Sequence, residues 1–202
     1  STDVQPDGNA TTVYNIEVWR EHNYYVGSKE SVEFLLVHNT CPWELIDDIL
    51  RTFSKSDLLN FVDDVWKNGL WKERGNILEM LMRKTKFKDW KYTNDLAKNF
   101  KAIDFYRYVN GKNIVSSMKT TKAIDVQEWI LQNSQHLDDL VFGKVNKQFE
   151  WGQKTIPADI VQLNIFTETG FSTAQRTAWK NAIESHTGGK IQVIIETAQE
   201  NL

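Results

Sequence analysis

At 202 residues, 41% hydrophobic and 25% charged, the chain is long enough to bury one good core with an appendage. A single cysteine, Cys41, excludes an internal disulfide and any multi-cysteine zinc site. The net charge of −3 hides an asymmetry: residues 1–40 hold 2 Lys/Arg against 6 Asp/Glu, and residues 41–202 hold 22 against 21.

His22, His38, His136 and His186 are scattered and give no paired-ligand spacing. No P-loop, GxGxxG or GxSxG string occurs, which argues against nucleotide-binding and serine-hydrolase readings. No apolar run of about 18 residues is present, so no membrane-spanning segment is expected. The start lacks a basic stretch leading into an apolar one, so no signal peptide is expected, and Ser1 in place of Met suggests a piece of something larger.

In chain order, residues 1–12 are a loose polar start. Residues 13–19 and 32–37 alternate or run apolar and predict strands, with a short strand at 24–26 between them. Pro42 breaks the last strand and marks a boundary, giving expected domains 1–41 and 42–202. A helical lead-in then covers 43–100. Residues 43–52 and 56–67 carry i, i+3, i+4 apolar spacing, with Ser54 or Ser56 as cap and Gly69 as stop.

Residues 73–84 predict a third helix, and the core of the α/β part runs from there to 197. A Lys-rich stretch comes next, in which 83–101 holds seven basic residues against Asp89 and Asp95. It reads either as a phosphate-facing surface or as a solvated loop and helix face. Residues 102–109 and 112–119 predict two strands around Asn110-Gly111, the strongest short hairpin signal. Beyond lie a long helix over 123–147, broken if anywhere at Gly143, a strand at 160–166, a helix at 172–186 behind Ser172 or Thr173, and a strand at 190–196. Helices, a hairpin, then alternating elements predict an α/β domain with a mixed central sheet.

The hairpin fixes a geometry. A two-residue loop at Asn110-Gly111 sets Val109 against Lys112, and so Asp104 against Ser117. Opposed side chains leave the same face, about 5 Å apart at Cβ, and Lys119 shares that face two residues on. Glu79 is hemmed by Ile77, Leu78, Met80, Leu81 and Met82, where a carboxylate is costly to bury without a partner.

These residues carry two resemblances. The series 13–18, 22–27 and Leu36-Val37-His38-Asn39 resembles the closing strands of the HINT (intein-like) processing domains that precede toxin domains in secreted bacterial proteins. That resemblance implies self-cleavage by Asn39, whose side-chain amide attacks its own carbonyl, with His38 as acid to the leaving amine and Thr40 or Cys41 downstream. The nucleophilic front half of such a domain is missing, so the remnant is expected to be inactive or slow.

Glu79, Asp104 and Ser117-Met118-Lys119, in that order, resemble the site of PD-(D/E)xK nucleases, with a restriction-endonuclease-like sheet flanked by helices. Ser117 departs from the usual Asp or Glu and leaves two carboxylates. The resemblance implies Glu79 and Asp104 as ligands of Mg²⁺ or another divalent metal, Lys119 at the attacking water or the phosphate, and Ser117 at the rim. Thr120, Thr121, Gln127, Lys84, Lys86 and Lys88 are candidate substrate contacts.

The implied function is a nuclease toxin of interbacterial competition. It would be delivered by secretion or from the cell surface as part of a larger protein, act on RNA (tRNA included) or DNA in the target cytoplasm, and be neutralised by a cognate immunity protein. The alternatives are a toxin of the same delivery system with another activity, and a non-catalytic binding domain.

Overall fold

The computed structural model describes residues 23–27, 34–38, 42–68, 71–168 and 171–202. Their contacts divide the chain into two compact units, Ser1–Thr52 and Phe53–Leu202.

In the first unit, strand β1 (Asn23–Gly27) pairs antiparallel with β2 (Phe34–His38), in a register running from Asn23↔His38 to Gly27↔Phe34. Helix α1 (Pro42–Thr52) comes after them. Pro42 takes the first helical position, where its fixed φ and missing N–H cost nothing. His38 ends β2, while the strand expected at 13–19 and the candidate cleavage residues Asn39, Thr40 and Cys41 lie outside the described residues. Helix α1 belongs to this first unit rather than to the second.

The second unit opens with helices α2 (Lys55–Asn68) and α3 (Trp71–Lys84). Ser54 and Asp57 exchange hydrogen bonds at the start of α2, satisfying its first donors. A two-residue strand β3 (Lys91–Tyr92) and one turn of helix α4 (Thr93–Leu96) lie in the polar stretch, where the sequence predicts no element. The hairpin strands are β4 (Phe105–Val109) and β5 (Lys112–Thr121).

The expected long helix is two: α5 (Val126–Gln132), capped by Asp125, and α6 (Ser134–Asn146), with the break at Asn133. Asn133 turns its side-chain amide onto the Trp129 carbonyl, closing the first helix locally. Gly143 stays inside α6, where an added Cβ would fall into the buried Phe149 ring. A small hairpin, β6 (Gln148–Trp151) with β7 (Lys154–Pro157), is next. Then come β8 (Ile160–Thr167), α7 (Thr173–His186) behind a Ser172/Gln175 capping box, β9 (Gln192–Thr197) and a closing 3-10 turn.

The five-stranded sheet has order β3-β4-β5-β8-β9. The first two pairings are antiparallel, and β5/β8 and β8/β9 are parallel, so the sheet is mixed. One face carries Val115, Val161, Leu163, Ile165 and Val193, packed in a single core with Trp129, Ile130, Leu137, Leu140, Trp179 and Ile183 of the helices. Helix α3 crosses β5, and Phe87 stacks on Phe105 with centroids 4.2 Å apart. The chain is thus an α/β protein with a mixed sheet flanked by helices, in keeping with its order of elements.

Candidate active site

The β4–β5 hairpin fixes the site. Asn110 and Gly111 both take positive φ (51° and 76°), as a two-residue turn of primed type requires. Val109 therefore pairs with Lys112, and the register runs to Phe105↔Ser116, which is the register the turn chemistry dictates. Asp104 stands one residue before β4, just beyond Phe105↔Ser116, the last pair of the register. Its N–H donates to the Ser116 carbonyl at 2.9 Å, and its carbonyl accepts from Thr93 N–H at 2.9 Å. Helix α4, whose Thr93 hydroxyl also donates to the Ile103 carbonyl at 2.8 Å, thus clamps this backbone from the side away from β5.

The side chains meet at the end of the hairpin. Asp104 Oδ2 accepts from Met118 N–H at 2.6 Å and from the Ser117 hydroxyl at 3.5 Å. Lys119, half-buried, shares the Ser117 face. Glu79 reaches the site from α3, and its Oε1 accepts from the Tyr92 hydroxyl at 2.5 Å. Tyr92 is held in turn by Asn94 Nδ2 at 2.7 Å and by the Arg83 guanidinium over its ring, 4.4 Å from the centroid. Arg83 pairs with Asp95 at 2.8 Å.

The electrostatics tie these groups together. Burial raises Asp104 to about 7, and the negative charge of Glu79 pushes it the same way, against the pull of Lys119. The residue keeps some exposed surface, but its carboxyl is desolvated. Glu79 is raised as well, first by burial, with Tyr92, Lys119 and Arg83 acting against the shift. Lys119 is felt by a third group, His136 of α6, which burial and that ammonium lower to about 3. His136 Nε2 lies 2.9 Å from Ser117 Oγ. Two desolvated carboxylates beside one lysine form a cluster that a divalent cation would relax.

No family model, curated protein or solved structure matches the chain. The site therefore stands on its own chemistry. Among the described residues no group of three or more His, Cys, Asp or Glu forms a metal cage. The two-carboxylate set nevertheless suits Mg²⁺, which keeps several waters and binds through one or two carboxylates plus phosphate oxygens. Asp104 Oδ1 and Glu79 Oε2 carry no hydrogen bond among the described residues, so each offers an oxygen to a cation.

The candidate substrate contacts divide. Thr120 lies on the face opposite Lys119, toward Gly75 of α3. The Thr121 hydroxyl is buried and accepts from Ala123 N–H at 2.9 Å. Gln127 is exposed on the first turn of α5, and Lys84 and Lys88 are exposed beside α3. Lys86 turns inward to pair with Glu196, and burial lowers it to about 8. Lys101 pairs with Asp139 at 3.0 Å. The basic stretch is therefore not one open face, since at least three of its seven cations, Arg83, Lys86 and Lys101, are engaged with carboxylates.

Sequence reasoning does not find His136, Tyr92 or the α4 clamp. The histidine lies in another helix, 19 residues from Ser117, so no spacing rule links them.

Proposed function

We propose that the Phe53–Leu202 unit is a metal-dependent nuclease of the PD-(D/E)xK kind, with Glu79 and Asp104 holding a divalent ion. The observation that carries this reading is the convergence of Asp104, Ser117 and Lys119 on one hairpin, with Glu79 brought to them by α3. Bound Mg²⁺ supplies charge neutralisation at the phosphate and lowers the pKa of a coordinated water. The Lys119 ammonium would stabilise the attacking water or the charge growing on the phosphate. The Met118 N–H and the Ser117 hydroxyl keep the Asp104 carboxylate aimed. Tyr92 does the same for Glu79.

The setting we propose is a toxin region behind the end of a HINT domain, with RNA or DNA as substrate and an immunity protein as partner. No helix among the described residues is long and apolar enough to cross a membrane. The deciding experiment incubates the purified chain with supercoiled plasmid and with tRNA, in Mg²⁺ and in EDTA. Metal-dependent cleavage that disappears in Asp104→Asn and Lys119→Ala supports the reading. Cleavage at the wild-type rate by Asp104→Asn rejects the site.

A further inference from the structure

The nuclease reading gives His136 no role, yet its imidazole is built into the cluster. Ser117 Oγ stands between two groups, His136 Nε2 at 2.9 Å and Asp104 Oδ2 at 3.5 Å, and Ser117 is fully buried. A hydroxyl has one hydrogen to give and lone pairs to receive. Of its two neighbours the carboxylate oxygen is the stronger acceptor. That oxygen already takes the Met118 N–H at 2.6 Å, so it is the acceptor side of the carboxyl, and any proton on Asp104 belongs on Oδ1. The Ser117 hydrogen thus points to Asp104, and its lone pair is left for the imidazole.

A neutral imidazole carries one N–H, and with the Ser117 hydrogen given to Asp104 that N–H is on Nε2. A Ser–His–Asp relay does not fit the same atoms. Asp139, one turn along α6 from His136, pairs with Lys101 at 3.0 Å, and Ser117 has no exposed surface from which to attack a substrate.

We propose that His136 is a positioning residue: its Nε2–H donates to Ser117, whose hydroxyl donates to Asp104, and this chain aims the free carboxylate oxygen at the space shared with Glu79 and Lys119. The kinetic consequence rests on the nuclease reading, but the hydrogen-bond chain does not. An Asp carboxyl turns about a broad, two-fold terminal torsion, so anchoring one oxygen is what orients the other. Partners behind a metal ligand are typically worth about 10- to 100-fold in metal affinity or activity.

The test has a structural and a functional arm, both on the full chain. Nitrogen-15 histidine NMR at neutral pH is expected to find His136 as the Nε2–H tautomer, with its signals displaced in Ser117→Ala. In cleavage assays His136→Ala and Ser117→Ala should each lower kcat by about 10- to 100-fold with little change in KM for nucleic acid. The double variant should be no worse than either single one. His136→Gln, whose amide N–H reaches the same region, should recover most of the loss and stands in for the alanine variant if that one fails to fold.

An Nδ1–H tautomer in the wild type overturns the proposal, as do multiplying losses in the double variant or a folded His136→Gln as impaired as His136→Ala. If the wild type cuts neither DNA nor RNA, the nuclease reading fails alone. The tautomer and its dependence on Ser117 then decide the proposal.

Discussion

Asp104 is costly to keep. It is desolvated beside Glu79 and rises from 3.8 when unfolded to about 7 in the folded chain. Between those values folding takes up a proton, so its penalty is absent below about pH 4, grows with pH, and is complete above about pH 7. Asp104→Asn removes the charge and keeps the shape. It should match the wild type in stability near pH 4 and exceed it by up to about 4 kcal/mol near pH 8. Equal differences at both pH values would contradict the burial of that carboxyl.

His136 acts in the opposite sense. Its pKa falls from 6.5 to about 3 on folding, so the unfolded chain takes the proton first and stability is lost as pH falls from about 6.5 toward 3. His136→Gln should flatten that acid limb, read by melting at pH 4 and pH 7 against the wild type. Metal binding competes with the proton on Asp104, so Mg²⁺ affinity measured by calorimetry should rise by about tenfold from pH 6 to pH 8. An affinity flat over that range would place the ion elsewhere.

At the scale of the element, two glycines behave differently. Alanine in place of a mid-helix glycine normally gains up to about 1 kcal/mol. At Gly143 the added Cβ would enter the Phe149 ring, so Gly143→Ala should instead destabilise by about 1–3 kcal/mol. In a Phe149→Ala background that loss should largely vanish, which chemical denaturation of the four chains would measure. Gly111 has open space around it but a φ of +76°, so substitution there strains the backbone alone.

These elements also mark what is legible in sequence. Asn110-Gly111 fixes the hairpin register from Val109↔Lys112 to Phe105↔Ser116 because its chemistry is local, while Asp104 lies just past that register, its N–H turned to the Ser116 carbonyl. The α5/α6 break falls at Asn133 and not at Gly143, because the asparagine closes the helix with its own side chain while the glycine only makes room for a ring. The strand β3 and helix α4 are illegible because they are held by hydrogen bonds to the backbone of residues 103–106, one of them from the Thr93 hydroxyl, a tertiary matter with no periodicity of its own. His136 carries no signal by itself, since its meaning depends on a partner in the sheet.

At the scale of the molecule, the Phe53–Leu202 unit has its own sheet and core, so a 53–202 fragment should fold without 1–52. Circular dichroism and a cooperative melt would establish this, and a disordered fragment would refute it. The sheet itself combines two kinds of pairing. Strands β4 and β5 are joined by two residues, while β5 reaches β8 only after two helices and a second hairpin. Closing a short loop costs less entropy than closing a long one, and near-neighbour contacts form sooner. Asp104, Ser117 and Lys119 therefore belong to the part of the chain that can organise first, and His136 and the parallel strands belong to the part that arrives later. During refolding, the site would take shape as a half-built ledge before the helix that steadies it has docked.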